Sequence, residues 1–174
     1  PGVPPISTVF AYAIDSDVSD EYFMTVTDFL TPSSFHYGTI GMGPAEKLKE
    51  LPAYFDAEGL AVSQHEAVSA DGTRIPYFQV ARAERTLDGE SPTLLTGYGG
   101  FEIPLLPAYE ASKGAAWLER GGVYVVANIR GGGEFGPEWH QAALKANRPR
   151  SYEDFIAIAE DLVRRKVTSP ERLG

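Results

Sequence analysis

The sequence predicts an α/β fold preceded by antiparallel strands, and three observations carry this prediction. The run GVYVVANI at 122–129 is apolar and rich in β-branched residues, which is typical of a strand covered on both faces. The segment SYEDFIAIAEDLVRRK at 151–166 has the apolar spacing of an amphipathic helix. Before residue 60, the chain instead shows short runs that partly alternate in polarity, as antiparallel strands do.

The first half of the chain is predicted to be β-structure. Strands are expected within STVFAYAI (7–14) and EYFMTVTDFL (21–30), and the Gly- and Pro-rich residues 38–60 are expected to form a loop. Residues 62–80 contain Asp71-Gly72 between two β-like runs. Because an Asp-Gly pair in that position is a strong turn signal, the segment predicts a hairpin.

The second half is predicted to alternate between strands and helices. SPTLLTGY (91–98) is a short apolar strand, and ASKGAAWLER (111–120) is a helix with Ser112 as its N-cap and Gly121-Gly122 as its end. The strand within 122–129 follows. The order strand, helix, strand predicts a right-handed parallel crossover.

The helix at 151–166 has recognisable ends in the sequence. Ser151 and Asp154 have the spacing of a capping box, and basic residues fill the last turn, where they face the negative end of the helix dipole. Ser169-Pro170 is expected to prevent the chain from continuing as a helix.

The composition limits the class of protein. The 174 residues include 24 acidic and 15 basic side chains, and 43% are hydrophobic. This mix fits one folded domain and excludes a disordered, collagenous or coiled-coil chain. The net charge of −9 argues against nucleic acid or an anionic membrane as the natural partner. Because there is no cysteine, there are no disulfides and no thiolate metal ligands.

The two ends of the sequence lead us to expect a fragment. The opening PGVPPISTVF has no initiator Met and no signal-peptide pattern, and SPERLG stops where another element could follow. No apolar run reaches the roughly 20 residues of a membrane span. We expect a cytoplasmic protein, with a periplasmic location left open because the true N-terminus would lie upstream.

The segment RGGGEFG is the first candidate for chemistry. Gly131, Gly133 and Gly136 fit the spacing of a dinucleotide-binding loop after an apolar strand. Glu134 would place a negative charge beside the pyrophosphate, and Phe135 is bulky for a tight turn. A structural turn is therefore favoured, and a nicotinamide-dependent oxidoreductase remains the alternative that this motif alone supports.

Metal binding and a complete catalytic triad find little support in the sequence. His36, His65 and His140 stand alone, without the spacing of a metal site, and are interpreted as ordinary surface or core residues. No serine lies in a G-x-S-x-G motif, and each serine has a structural explanation in a turn or cap. We expect no metal and no cofactor.

The segment GYGGF (97–101) directly follows a predicted strand. Glycines there allow a tight loop at the carboxyl end of the sheet, where α/β domains place ligands. Tyr98 could project its hydroxyl into such a site. On these residues alone, a packed turn is the simpler interpretation.

Taken together, residues 66–174 resemble the catalytic domain of the prolyl oligopeptidase family of serine peptidases. Five segments in the family's order carry the resemblance: SADGTRIPYF (69–78), LLTGYGGFEI (94–103), GGVYVVANIRGGGEFGPEWHQA (121–142), SYEDFIAIAEDL (151–162) and TSPERL (168–173). Residues 1–60, which include DFLTPSSF, resemble the end of the family's β-propeller and its return to the hydrolase domain.

The resemblance implies a fold and a domain organisation. It implies a partial α/β-hydrolase fold preceded by strands from the end of a β-propeller, with the boundary between 1–60 and 61–174. In the family, a segment like TSPERL leads to a strand and a G-G-S-x-G-G nucleophile elbow. That elbow and the other two triad residues would then follow Gly174, and residues 1–174 would be inactive alone.

The resemblance also implies an activity and roles for individual residues. The parent protein would hydrolyse short proline-containing peptides after proline through an acyl-enzyme, without a cofactor, and would be monomeric. Tyr98 matches the tyrosine that completes the family's oxyanion hole, and Phe101 matches an aromatic residue of the substrate pocket. Arg130 and Glu134 flank the triple glycine and are assigned to the scaffold.

Two alternatives to post-proline cleavage remain within the family. The sister branch that cleaves after basic residues typically has GYGSYG where this chain has GYGGFE, so the prolyl branch is preferred. A truncated, non-catalytic member of the family that acts through contacts is the other alternative.

Overall fold

A computed structural model of the chain describes residues 3–174, which form two four-stranded sheets with helices packed on the second. The first sheet is an antiparallel meander in sequential order. Its strands are β1 (Thr8–Ala13), β2 (Glu21–Thr27), β3 (Ser34–Thr39) and β4 (Glu46–Glu50). The antiparallel β-structure predicted for this half is present.

Strand β4 lies inside the stretch for which a loop was expected. Its sequence EKLKE is charged and every residue is exposed, so it has no apolar alternation from which a strand could be predicted. Charged side chains are common on edge strands because they prevent pairing with other chains. Ser34, one of the serines explained by a turn or cap in the sequence, instead begins β3.

The second sheet has the order β5-β6-β8-β7. Its strands are β5 (Leu60–Val68), β6 (Arg74–Arg82), β7 (Thr93–Gly97) and β8 (Val123–Ala127). β5 and β6 form the predicted hairpin, and Gly72 takes the left-handed conformation, with φ +85°, that such a turn requires. β7 and β8 are parallel neighbours, which places their carboxyl ends at one edge of the sheet.

The helices lie between and after these parallel strands. Helix α1 (Ala111–Lys113) continues directly into a π-helical turn at Gly114–Leu118. Helix α2 (Pro137–Gln141) is a short turn, and α3 (Pro149–Arg164) is the long amphipathic helix. Two 3₁₀ turns, Lys145–Asn147 and Pro170–Arg172, precede and follow α3.

The first predicted helix differs from the expectation at its start and in its type. The residue before the helix is Glu110, and Ser112 lies inside the first turn rather than capping it. Gly114 packs so closely on the ring of Phe55 that a Cβ there would overlap the ring. The chain turns with positive φ at Gly121, where the helix was expected to end.

The predicted capping box of α3 is wrong. The helix begins two residues earlier, at Pro149, and Ser151 is buried in its first turn. The Ser151 hydroxyl donates to the carbonyl of Arg130 at 2.6 Å, and Asp154 also binds Arg130. Both side chains therefore serve tertiary contacts, which a local cap pattern does not reveal.

The core covers both faces of β8, as its continuous apolar run predicts. Val123, Val125 and Ala127 pack on one side with α3, while Tyr124 and Val126 pack on the other. No helix within residues 3–174 is long and apolar enough to cross a bilayer.

Candidate active site

Two loops meet at the carboxyl edge of the parallel strands. The tyrosine loop, residues 98–105, follows β7, and the glycine loop, residues 128–136, follows β8. Their backbones pack directly: a Cβ at Gly131 would overlap the carbonyl oxygen of Gly99, and one at Gly133 would overlap that of Glu102. Glycine is therefore required at both positions because the two backbones touch there.

The backbone of the tyrosine loop is strained. Gly99, Phe101 and Glu102 all have left-handed φ values, of +58°, +53° and +57°. For a residue with a side chain, this conformation costs about 1–3 kcal/mol and persists only where surrounding contacts hold it. Such strain is concentrated at functional sites, which makes this loop a candidate for one.

Contacts from the glycine loop fix the far end of the tyrosine loop. The Glu134 carboxylate accepts hydrogen bonds from the backbone N–H of Leu105 at 3.0 Å and from the Asn128 amide at 3.2 Å. The same Asn128 amide donates to the Leu105 carbonyl at 2.8 Å. Since Gly131 and Gly133 both lie against the backbone of the tyrosine loop, we interpret RGGGEFG as a structural turn, which the sequence also favours.

Tyr98 is presented to solvent by this arrangement. Its side chain is 45% exposed, and its hydroxyl makes no hydrogen bond with any other residue from 3 to 174. Cavities of about 320 and 310 Å³ adjoin it, and Thr96 and Phe155 are among their lining residues. The sequence-predicted site residue therefore has a free donor beside open space.

Phe101 lies next to Tyr98 on the same loop. The two rings stack with centroids 6.4 Å apart, and Phe101 is 82% exposed. An aromatic ring with this exposure contributes little to the core and is available to an apolar ligand. The structure thus brings both predicted site residues together on one surface.

Two side chains from other elements bind the tyrosine loop. The imidazole of His140, on α2, lies 2.6 Å from the Gly131 carbonyl and 3.1 Å from the backbone nitrogen of Glu102. The guanidinium of Arg148 donates to the carbonyl of Gly99. Neither role is predicted by the sequence, because both partners are backbone atoms far along the chain.

Arg130 anchors the glycine loop to the rest of the domain. Its side chain is 4% exposed and forms ion pairs with Asp154 at 2.6 Å and Asp71 at 2.5 Å. It also contacts the hydroxyls of Ser69 at 3.3 Å and Thr73 at 3.2 Å. The scaffold role expected for Arg130 thus links β8 to the β5–β6 turn and to α3.

These hydrogen bonds shift the proton affinities of Asp71 and Arg130. The Arg130 guanidinium holds the pKa of Asp71 well below its usual range. Hydrogen bonds from Arg130 to Asp154 and Asp71 raise the pKa of Arg130 itself, although burial opposes the shift. Asp71 and Arg130 therefore remain ionised at neutral pH.

Two serine–histidine pairs occur, but neither is a triad. Ser34 and His36 lie 2.8 Å apart, and Ser63 and His65 lie 2.9 Å apart, each pair along one strand. Neither imidazole has a hydrogen-bonded carboxylate among residues 3–174, and His65 instead meets the guanidinium of Arg165 at 3.2 Å. A serine nucleophile needs a base that a third group orients.

The described part of the chain also lacks a metal-ligating cluster. No three His, Asp or Glu side chains come together as potential ligands within residues 3–174. The histidines that the sequence analysis considered bind serine hydroxyls, an arginine or the backbone instead.

Comparison with known proteins agrees with this geometry. The profile of the prolyl oligopeptidase family matches residues 109–174. An uncharacterized peptidase of Sinorhizobium fredii is 50% identical over 170 residues, which cover 98% of this chain and 23% of that protein. A prolyl endopeptidase of Elizabethkingia miricola is 38% identical over 154 residues, or 88% of this chain and 22% of that protein. The chain belongs to the prolyl oligopeptidase family.

A solved structure supports the same assignment at the level of the fold. That structure, of a post-proline cleaving enzyme from Rickettsia typhi, matches with a TM-score of 0.83 and 36% identity, covering 95% of this chain and 24% of that one. The predicted fold class, a partial α/β-hydrolase fold preceded by strands from the end of a β-propeller, is thereby confirmed. The boundary between residues 1–60 and 61–174 stays a prediction. The chain spans about a quarter of the length of the curated relatives it matches.

Proposed function

We propose that the full-length protein is a serine peptidase that hydrolyses short peptides after proline through an acyl-enzyme. The observation that carries this proposal is the unpaired hydroxyl of Tyr98 on a strained loop at the carboxyl edge of the sheet. Ligands of open α/β sheets bind at that edge. The relatives named above as prolyl endopeptidase and post-proline cleaving enzyme support the substrate class.

In this proposal Tyr98 stabilises the tetrahedral intermediate. When a nucleophile attacks the scissile carbonyl, negative charge develops on the carbonyl oxygen, and a donor fixed at that place lowers the barrier. The contacts of the tyrosine loop hold the ring before substrate binds, so no reorganisation is needed during the reaction. Removal of one such donor typically lowers turnover by ~10²–10³.

Phe101 binds the substrate in the same proposal. Its exposed ring stands beside Tyr98 and offers an apolar surface to the ring of a proline residue. A contact of this kind is made in the ground state and in the transition state alike, so it contributes to binding rather than to the chemical step.

We further propose that residues 1–174 by themselves do not hydrolyse peptides. The two serine–histidine pairs lack an orienting carboxylate within residues 3–174, and both lie on strands far in sequence from the tyrosine loop. A serine-directed fluorophosphonate probe should label the full-length protein and leave the 174-residue chain unlabelled. Labelling of the shorter chain, followed by turnover, would overturn this point.

The proposed function is tested with the full-length protein and two matched reporters. A Gly-Pro reporter should be cleaved with a far higher kcat/KM than a reporter ending in arginine. Tyr98→Phe should lower kcat by ~10- to 1,000-fold with little change in KM, because the donor acts in the transition state. Tyr54→Phe, an equally conservative change at another exposed tyrosine, is the control and should leave kcat unchanged.

The outcomes separate this proposal from its alternatives. Preference for the arginine reporter would place the protein in the branch that cleaves after basic residues. Absence of cleavage of both reporters, with no labelling by the fluorophosphonate probe, would indicate a non-catalytic family member. A folded Tyr98→Phe variant with normal kcat would remove Tyr98 from the site.

A further inference from the structure

We propose that Arg148 is a positioning residue for Tyr98: its guanidinium holds the Gly99–Gly100 peptide, one residue beyond Tyr98, and thereby sets the direction of the tyrosine ring. The proposal rests on the proposed function, because it concerns the same oxyanion-stabilising hydroxyl. It adds Arg148, the residue directly before α3, to a site otherwise formed by the loops after β7 and β8.

Arg148 contacts the tyrosine loop directly. Nη1 of Arg148 donates to the carbonyl oxygen of Gly99, 49 residues away in sequence. On its other side the same carbonyl lies against Gly131, whose missing Cβ leaves just enough space for it. The Gly99 peptide is therefore held from two directions by residues outside its own loop.

This contact maintains the backbone conformation at Gly99. Gly99 has φ +58°, and a Cβ there would lie 2.7 Å from the Ile129 side chain, so the position admits only glycine. The Gly99–Gly100 peptide is joined to Tyr98 through the backbone of Gly99. A displacement of this peptide would therefore shift the backbone of Tyr98 and move its hydroxyl within the cavity.

Arg148 is itself held in place by an aromatic ring. Its guanidinium lies over the Tyr152 ring, with 5.5 Å between the guanidinium carbon and the ring centroid. Such stacking is attractive and restricts a flexible side chain. Arg148 also lines the 310 Å³ cavity that adjoins Tyr98.

Arg148 has no carboxylate partner among residues 3–174. No Asp or Glu in that range forms an ion pair with it, whereas Arg130 and Arg165 both lie near carboxylates. Its hydrogen bond to Gly99 is the one that the described residues give its side chain. Apart from the Tyr152 ring, the guanidinium therefore acts on a single carbonyl of the tyrosine loop.

Arg150 provides a matched control two residues further along. It too donates to a backbone carbonyl, that of Ala142, at 3.1 Å, and it is similarly part-exposed; unlike Arg148, it also lies 3.9 Å from a carboxylate oxygen of Asp71. That carbonyl follows α2 and does not belong to the tyrosine loop. Arg150→Met should therefore remove a comparable contact without affecting Tyr98.

The test is a double-mutant cycle in the full-length protein with the Gly-Pro reporter. Arg148→Met alone should lower kcat by about 10- to 100-fold, because a small misplacement of a catalytic group has effects of that size. In the Tyr98→Phe background the same change should lower kcat by less than about threefold, since the hydroxyl to be positioned is already absent. Arg150→Met should leave kcat unchanged in both backgrounds.

Each outcome supports or overturns the positioning role of Arg148. Equal losses from Arg148→Met in both backgrounds, or no loss in either, would overturn the positioning role while leaving Tyr98 in the site. If Tyr98→Phe alone leaves kcat unchanged, the assignment of Tyr98 fails, and the role of Arg148 fails with it. Arg148→Lys, which keeps a donor, should retain more of kcat than Arg148→Met; equal loss would contradict the hydrogen bond. Thermal melts identify any variant that is not folded.

Discussion

Asp154 binds Arg130 through both the side chain and the backbone of the arginine. One carboxylate oxygen lies 2.6 Å from Nη2 of Arg130, and the other accepts the Arg130 backbone N–H at 3.0 Å. The hydroxyl of Ser69 donates to the first oxygen at 2.6 Å. The carboxylate is fully buried, so this contact fixes where the glycine loop leaves β8.

The first prediction concerns that buried ion pair. Asp154→Ala should lower the free energy of unfolding by about 3–5 kcal/mol, because it leaves the Arg130 charge buried with only the part-exposed Asp71 as a partner. Urea denaturation of the full-length protein measures the change. Glu160→Ala, at an exposed position of the same helix, should change the free energy of unfolding by less than about 0.5 kcal/mol. A loss as large as that of Asp154→Ala would contradict the importance of the buried ion pair.

The second prediction is a dependence of stability on acid. Because Arg130 lowers the pKa of Asp71 in the folded state, the unfolded chain binds a proton first as the pH falls through the ordinary value of 3.8. The contribution of Asp71 to stability is therefore present above that value and is lost progressively below it. The urea concentration at the midpoint of unfolding should therefore decrease as the pH is lowered below about 5.

The control for the acid effect is another aspartate with the same local turn. Asp71 and Asp88 each accept the N–H of the residue two positions ahead, at 3.0 Å, but only Asp71 also pairs with Arg130. Asp71→Asn should flatten the pH dependence below pH 5, whereas Asp88→Asn should leave it unchanged. An unaltered profile in Asp71→Asn would contradict the assignment.

The third prediction concerns the contact between the two loops. Gly131 and Gly121 both have positive φ, +99° and +85°, but only Gly131 touches another backbone. Gly121→Ala should cost about 1 kcal/mol from conformational strain alone. Gly131→Ala must also displace the Gly99 carbonyl, so it should cost more and should lower kcat on the Gly-Pro reporter. If Gly131→Ala and Gly121→Ala had the same effect on the free energy of unfolding and the same effect on kcat, the contact between Gly131 and Gly99 would not be the reason.

The fourth prediction concerns Phe101. Because its ring is 82% exposed, Phe101→Ala should leave the free energy of unfolding within about 0.5 kcal/mol of the original. On the Gly-Pro reporter, KM should rise several-fold with little change in kcat, since the contact is one of binding. Unchanged KM would show that this ring does not contact the substrate. Steady-state kinetics and thermal melts measure both quantities.

Much of the fold can be predicted from local patterns. The hairpin at Asp71-Gly72 and the covered strand β8 follow from turn chemistry and from a continuous apolar run. β4 escapes such reasoning because an edge strand held by backbone hydrogen bonds needs no apolar pattern. Ser112 is misassigned for a related reason: cap preference is a local tendency, and the packing of Gly114 on Phe55 overrides it.

The sequence by itself determined the hairpin of β5 and β6, the covered strand β8, the amphipathic helix α3 and the family, and it predicted the two residues of the proposed site, Tyr98 and Phe101. These properties lie in short motifs whose meaning does not depend on distant residues. Only the tertiary structure decided what holds that site. The cap-like pair Ser151 and Asp154 binds Arg130, and Arg148 reaches Gly99, because hydrogen bonds across 21 to 49 residues depend on how the sheet and α3 pack. Backbone carbonyls are present at every position, so no sequence pattern marks which one an arginine will bind.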